Sequence, residues 1–221
     1  MLHIYGTLLS SPTNKVRYVA NYLEIPYEFH SMNLAASEQH KPEFLKINPL
    51  GKVPAINDHG FTLAESNAII RYLANKQQSP LYPQDLQQRA LVDQWLDYAS
   101  MHIMMALSKI AFNTYFYKMI NTPIDERSLQ DGHKFIASYL PHLESQLTST
   151  PFIAGKTITL ADIALLAALD TAEVCHVDLS SFSHLTAWRK KLMGEKFYRD
   201  CHESFTTVFK KIVAQREAKT S

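Results

Sequence analysis

The sequence has little cysteine, almost no net charge and no long apolar run. Only two of its 221 residues are cysteines, Cys175 and Cys201, so thiols can build neither a disulfide framework nor a four-cysteine zinc centre. His102 and His133 lack the spacing of metal ligands, and we predict no metal site. The most apolar run, residues 163–169, is too short to cross a bilayer, so we expect no membrane association.

The charge balance argues against a polyanionic partner. Lysine and arginine number 22 against 21 aspartate and glutamate residues. Nucleic-acid binding normally needs a basic surface, so we expect no nucleic-acid partner. The composition, 46% hydrophobic and 19% charged, is that of a soluble globular protein, and together with the scarce cysteines it predicts a reducing, cytoplasmic setting.

The two halves of the chain show different periodicities. Short apolar stretches at 2–5 and 27–29 and a hairpin pattern over 53–63 predict strands, and helical spacing begins at Asn14 and again near Ile69. The first part is therefore predicted as a small α/β domain, residues 1–78. A polar, proline-bearing segment, residues 79–86, is predicted as a linker.

Strand signals disappear in the rest of the chain, residues 87–221, which we predict as an all-helical domain. Apolar residues recur about every four positions from Leu91 to Ile110, and a second helix is predicted over 124–147 with a kink at Pro141. Thr159 and Asp162 have the spacing of a capping box that opens an all-round apolar helix. The fold class is thus α+β overall.

Pro54 stands inside a predicted strand, where it removes a hydrogen-bond donor. An ordinary trans edge proline is one reading. A cis Val53–Pro54 bond is the other, and it leaves the backbone groups of Val53 free to pair with an extended peptide.

Four segments, in order, resemble motifs of the cytosolic glutathione transferases. Residues 48–55 and 63–69 are similar to the glutathione-binding signature of that family, and residues 9–12 to the active-site loop of its serine-type classes (theta, phi and zeta). Residues 152–155 with 159–162 are similar to the folding motif of its helical domain. The resemblance covers the whole chain and implies a thioredoxin-like domain followed by a helical bundle.

The resemblance implies a set of site residues. Ser10 takes the catalytic place, with Ser11 as the alternative and as a further glutathione contact. The resemblance also implies which residues bind each part of glutathione. Glu65 and Ser66 bind the ammonium and carboxylate of the γ-glutamyl part. Val53, beside Pro54, pairs with the cysteinyl backbone, and Lys52 and His40 bind the glycyl carboxylate.

The long helix of the second domain is rich in adaptable apolar side chains, of which Met105, Phe112 and Tyr115 are predicted to line an electrophile pocket. The resemblance implies a glutathione transferase that acts on an apolar electrophile, uses glutathione as co-substrate without a cofactor, and forms a homodimer. A glutathione-dependent isomerase, a disulfide reductase and a non-catalytic binding module remain alternatives. The electrophile and the class are open.

Overall fold

The N-terminal part of the computed structural model, which describes residues 1–117 and 122–211, is built on a four-stranded mixed sheet. Its strands are β1 (Leu2–Gly6), β2 (Tyr27–Ser31), β3 (Ala55–Asp58) and β4 (Phe61–Ala64). β1 pairs parallel with β2 and antiparallel with β3, and β4 pairs antiparallel with β3, which gives the order β2-β1-β3-β4. This is the thioredoxin-like arrangement that the resemblance implied.

Helices α1 (Ser11–Tyr22) and α3 (Ser66–Lys76) pack against each other and against the sheet. They bury an apolar stripe that includes Val16, Val19 and Ile69, as their helical spacing predicts. α1 begins earlier than the predicted start at Asn14. Pro12 fits the first helical turn, where its missing N–H costs nothing, and Ser10 caps the helix.

The connection from β2 to β3 carries two short 3₁₀ turns, Leu34–Ala36 and Glu38–His40, and the short helix α2 (Pro42–Leu45). Phe44 of α2 is buried and its ring lies 6.1 Å from that of Tyr5 in β1. Phe44 therefore anchors α2 against the sheet, while most of the preceding residues of the connection are exposed.

The second part is helical wherever regular structure is described. One continuous helical stretch consists of α4 (Leu86–Asp97), a π-helical segment Tyr98–Met104, α5 (Met105–Ala111) and a second π-helical segment Phe112–Phe116. The helices that follow are α6 (Glu126–Ser149), α7 (Leu160–Asp170), α8 (Ala172–Cys175), α9 (Ser183–Met193) and α10 (Lys196–Arg199). The predicted fold class is confirmed. No described helix is both long enough and apolar enough for a membrane span.

Two further details refine the sequence predictions. α6 continues through Pro141 to Ser149, so the proline does not end the helix. The segment between α3 and α4 is not simply a polar surface linker, because Leu81 and Tyr82 are buried and the Leu81 carbonyl accepts a hydrogen bond from the Leu160 N–H at 2.9 Å.

Helix α7 is buried along its whole length and joins the two parts of the molecule. It packs against α1, where Tyr18 Oη donates to Asp170 Oδ2 at 2.8 Å. At its start, Thr159 and Asp162 form the predicted capping box. The apolar core is consequently continuous across both parts.

Candidate active site

Several residues predicted to contact glutathione lie at the end of the sheet where β1 and β4 end and β3 begins, which is called the site edge, or the edge, in this and the next subsection. β1 ends beside the start of β3, because Tyr5 pairs with Ala55, and β3 starts beside the end of β4, because Ala55 pairs with Ala64. The loop after β1, the Val53–Pro54 dipeptide before β3 and Glu65 after β4 therefore meet at this edge.

Ser10 lies at the start of α1 with its hydroxyl half-buried. Ser10 Oγ accepts a hydrogen bond from the Thr13 N–H at 3.3 Å, as a helix N-cap does. The hydroxyl acts only as an acceptor in this contact, so its proton remains available to a ligand atom. The first turn of α1 also presents the positive end of the helix dipole at this point.

Ser11 has a different environment. It is buried, and its Oγ lies 2.6 Å from Thr171 Oγ1 at the end of α7. This hydroxyl is engaged in the contact between the two parts of the molecule. The adjacent serine hydroxyls therefore differ: Ser10 Oγ caps α1, whereas Ser11 Oγ is engaged with Thr171 inside the protein.

The N-terminus of α3 is the second element of the edge. Glu65 precedes the helix, is exposed, and has a backbone φ of 64°, in the left-handed region that few non-glycine residues adopt. Its side chain makes no capping hydrogen bond. The first N–H groups of α3, beginning at Ser66, therefore point toward the edge without a side-chain cap, a geometry that favours a carboxylate.

The Val53–Pro54 peptide bond is cis, and Pro54 is buried. Among the described residues, neither the N–H nor the C=O of Val53 is hydrogen-bonded. Both backbone groups are free for an extended ligand.

His40 and Lys52 are both exposed, and His40 lies against Gly51, the residue that precedes Lys52 in the chain. A Cβ atom at Gly51, which has φ +60°, would lie only 2.6 Å from His40 Nδ1, so the imidazole packs directly over a glycine that no other residue can replace without movement. Asn48 holds the loop, since its Nδ2 donates to the Lys52 carbonyl at 2.7 Å. Asn48 belongs to the matched segment 48–55, but the sequence analysis assigned it no role.

Lys15 is a residue that the sequence analysis missed. It is 3% exposed, and its Nζ donates to Asn67 Oδ1, while Asn67 Nδ2 donates to Ser100 Oγ at 3.1 Å. Burial, followed by the positive charge of Arg71, lowers the pKa of Lys15 to about 7, against the opposing effect of Glu65. The sequence signal that could have identified Lys15 is its position four residues after Ser11, which places both residues on the same face of α1.

A narrow crevice separates α1 from the long helix, lined by Ser11, Pro12, Lys15, Ala99, Ser100, Met104, Ala164 and Ala168. Met104 lies at this crevice, whereas the predicted Met105 does not and is 48% exposed. Adjacent helical residues point about 100° apart, so only one of the two methionines can face α1.

Phe112 and Tyr115 also lie away from this crevice. Phe112 is 52% exposed. Tyr115 is half-buried, with its ring 4.3 Å from that of Phe209 near the end of the described chain. The structure thus groups Tyr115 with a C-terminal aromatic side chain that the sequence analysis did not single out.

The geometry defines a class of protein: a thioredoxin-like domain joined to a helical domain, with a helix-capping serine hydroxyl, the unpaired backbone groups of Val53 and a helix N-terminus at one end of its sheet. Comparisons with known proteins agree. The glutathione S-transferase N-terminal domain matches residues 1–75, and the glutathione S-transferase C-terminal domain matches residues 101–196.

Individual relatives span most of the chain. Glutathione S-transferase D7 of Drosophila melanogaster is 33% identical over 192 residues, which cover 86% of this chain and 83% of the relative. Glutathione S-transferase theta-3 of Mus musculus is 30% identical over 211 residues, covering 91% and 87%. A theta-class enzyme structure from Xanthomonas axonopodis pv. citri, determined with glutathione bound, superposes with a TM-score of 0.81 at 25% identity, over 90% of both chains (91% and 96%). The chain belongs to the glutathione S-transferase family.

Proposed function

We propose that the protein conjugates glutathione to an apolar electrophile, with the Ser10 hydroxyl donating a hydrogen bond to the thiolate sulfur. The observation that carries this proposal is the state of Ser10: Oγ accepts from the Thr13 N–H and keeps its own proton for a ligand, at the first turn of α1. A donor and a helix N-terminus both lower the pKa of a thiol. Ser11, bonded to Thr171, is the weaker candidate.

The rest of the edge fits the other parts of glutathione. The γ-glutamyl carboxylate is proposed at the N-terminus of α3, on the Ser66 N–H and hydroxyl, with Glu65 on the ammonium. Val53, beside Pro54, pairs with the cysteinyl backbone, since its N–H and C=O are free. Lys52 and His40 are proposed to receive the glycyl carboxylate, since both are exposed and His40 lies against Gly51, next to Lys52 in the chain. The bound glutathione of the Xanthomonas relative supports this ligand class.

Thiolate formation by itself supplies only a modest rate gain. A thiol with a pKa of about 8.5 is roughly 3% ionised at pH 7, and a pKa lowered by about two units raises this to roughly 75%. The less basic thiolate is also less nucleophilic, and a Brønsted slope of about 0.4–0.5 removes about 6- to 10-fold of the gain. Positioning of the electrophile must therefore supply most of the remaining acceleration.

The electrophile is proposed to bind between Ser10 and the long helix. Met104 at the crevice is the side chain whose placement supports this, and Tyr115, which packs on Phe209 away from the crevice, stays a prediction. Met105 and Phe112 stay as predicted pocket residues, since each exposes about half of its surface (48% and 52%) and a ligand could cover them. Thioether and aromatic surfaces suit varied apolar ligands.

The test is the pH dependence of conjugation by wild type and Ser10→Ala, with 1-chloro-2,4-dinitrobenzene as the electrophile and Ser11→Ala as the matched control. We expect the wild-type to Ser10→Ala ratio of kcat to be largest near pH 6.5 and to shrink toward pH 9, where the thiol ionises without help. Ser11→Ala should retain the wild-type profile. A ratio that is constant with pH would contradict the role of Ser10 in ionisation.

We also propose a homodimer, as is common in the family. Apolar side chains lie exposed on the long helix, with Leu91 at 41% and Met101 at 66% exposure, and β4 is an edge strand. Within the chain, Arg71 of α3 forms an ion pair with Asp93 of α4, with 2.8 Å between Arg71 Nη2 and Asp93 Oδ1. Light scattering after size-exclusion chromatography should give twice the chain mass, and Met101→Lys should lower it. A wild-type monomer at micromolar concentration would contradict the proposal.

A further inference from the structure

A second cluster of chemically reactive side chains lies on the sheet between β1 and β2. In the parallel register of these strands, His3 pairs with Glu28 and Tyr5 pairs with His30. Side chains alternate along a strand, so these four residues share one face, while the buried Ile4 lies on the other. None of the four is among the proposed glutathione contacts.

The ligand atoms of this cluster stand at metal-site separations. His3 Nδ1 lies 3.0 Å from His30 Nε2 and 3.3 Å from Glu28 Oε2, and His30 Nε2 lies 3.6 Å from Glu28 Oε1. An ion held tetrahedrally at about 2.05 Å from each ligand separates the ligands by about 3.3 Å. The three observed distances lie on both sides of this value, so small side-chain adjustments suffice to bind an ion.

The surrounding structure holds the ligands in place. All three stand on neighbouring strands rather than on loops, which fixes their spacing. The His30 ring stacks on Tyr5 at 4.5 Å with 13° between the planes, and Tyr5 in turn contacts Phe44. The cluster opens to solvent, with side-chain exposures of 32% for His3, 34% for His30 and 55% for Glu28, so water can occupy a fourth position.

We propose that His3, Glu28 and His30 form a binding site for a divalent transition-metal ion, with Zn²⁺ as the preferred ion, on the face of the sheet that carries Tyr5. Two imidazoles and one carboxylate are the donor set that Zn²⁺ accepts in three-ligand sites, whereas Mg²⁺ and Ca²⁺ require more oxygen ligands. The sequence analysis predicted no metal site because cysteines are scarce and because His102 and His133 lack ligand spacing along the chain. Neither observation bears on ligands that strand pairing brings together from two separate segments.

Binding at this site has a structural consequence. β2 is an edge strand and β1 is central, so an ion held by both strands cross-links the edge of the sheet to its interior. Ligation in the folded state raises the free energy of unfolding by an amount that grows with the logarithm of the ratio of ion concentration to dissociation constant. Because none of the three ligands is a proposed glutathione contact, the metal site can be tested in the absence of glutathione.

The experiment is calorimetric titration of Zn²⁺ into the full chain after removal of metals with a chelator. Wild type should bind one equivalent at this site. Glu28→Gln retains the size of an exposed side chain but removes the anionic ligand, and it should weaken binding at least tenfold, as should His3→Asn. His142→Ala, which removes an exposed histidine of α6, serves as the matched control and should bind as wild type does.

Thermal melts supply the second readout. At one fixed concentration, Zn²⁺ should raise the melting temperature of wild type and of His142→Ala by more than that of Glu28→Gln, and Mg²⁺ should raise none of them. Far-UV circular dichroism checks that each variant is folded. Equal Zn²⁺ affinity in wild type, Glu28→Gln and His3→Asn would overturn the proposal, and so would the absence of Zn²⁺ binding to wild type.

Discussion

Asp162 offers a direct test of how the helical part is held together, because two large effects oppose each other at this buried carboxylate. Oδ1 accepts hydrogen bonds from the Ile153 N–H at 2.8 Å and from Trp188 Nε1 at 3.0 Å. Oδ2 accepts from the Thr159 N–H at 2.9 Å and from Thr159 Oγ1 at 3.0 Å. Burial acts in the other direction and raises the pKa of the Asp162 carboxyl.

The perturbation is Asp162→Asn, which keeps the shape and replaces one acceptor with an amide NH₂. The amide can turn its NH₂ toward Thr159, where the hydroxyl can rotate and accept but the N–H cannot, so one hydrogen bond to the charged acceptor is lost. The two bonds to the other oxygen become bonds to a neutral amide. A bond to a charged group is worth about 1.5–3 kcal/mol and one to a neutral group about 0.5–1.5 kcal/mol, so the lost bond and the two weakened bonds together cost about 3.5–6 kcal/mol. Removal of the buried charge returns part of this, and we expect a net loss of about 3 kcal/mol.

The assay is urea unfolding at pH 7, followed by tryptophan fluorescence and by circular dichroism to establish that the two transitions coincide. The matched control is Asp178→Asn. Asp178 also accepts from a backbone N–H and a hydroxyl, both of Ser180, but is fully exposed, so its substitution should have a much smaller effect. If Asp162→Asn were as stable as wild type, charge burial would outweigh the hydrogen bonds and the reasoning would be refuted.

Two further predictions concern buried titratable groups. The pKa of Lys15 is lowered to about 7 in the fold, against about 10.4 when unfolded, so the unfolded state binds more protons between these values. Wild-type stability should therefore rise from pH 7 toward pH 10 relative to Lys15→Met, by up to about 1.4 kcal/mol per pH unit, and urea unfolding that shows a pH-independent difference would contradict the assignment. Burial raises the pKa of the Cys175 thiol to about 12 and that of Cys201 to about 11. Both should react with iodoacetamide at pH 8 far more slowly in the folded protein than in urea, and rapid labelling of the folded protein would contradict the raised thiol pKa values.

Local sequence patterns predicted most of the helices and strands. Apolar spacing located the strands and helices, and Thr159 with Asp162 marked the start of α7, which is buried on all sides as its composition indicated. The start of α1 was placed too late, since apolar spacing does not register a capping serine followed by a proline.

The site was predictable only as far as the motifs reached. They located Ser10, Val53 and Glu65 along the chain, and the sheet register then explains why these segments meet. The different environments of Ser10 and Ser11 arise from the contact of Ser11 with Thr171, which is remote in sequence. No local pattern carries that information.

The same limit applies to side chains that come together across elements. His3 and Glu28 are paired by strand register alone, and the preference for Met104 over Met105 at the crevice follows from the rotation of one helix against another. Spacing along a helix gives the apolar face but not its partner.

The measurement that tests the central claim most directly is the pH titration of thiolate ultraviolet absorbance for glutathione bound to wild type and to Ser10→Ala. We predict that wild type lowers the pKa of the bound thiol well below its value of about 8.5 in solution and that Ser10→Ala returns it toward that value. Glutathione that binds wild type with an unchanged thiol pKa would contradict the proposed role of Ser10.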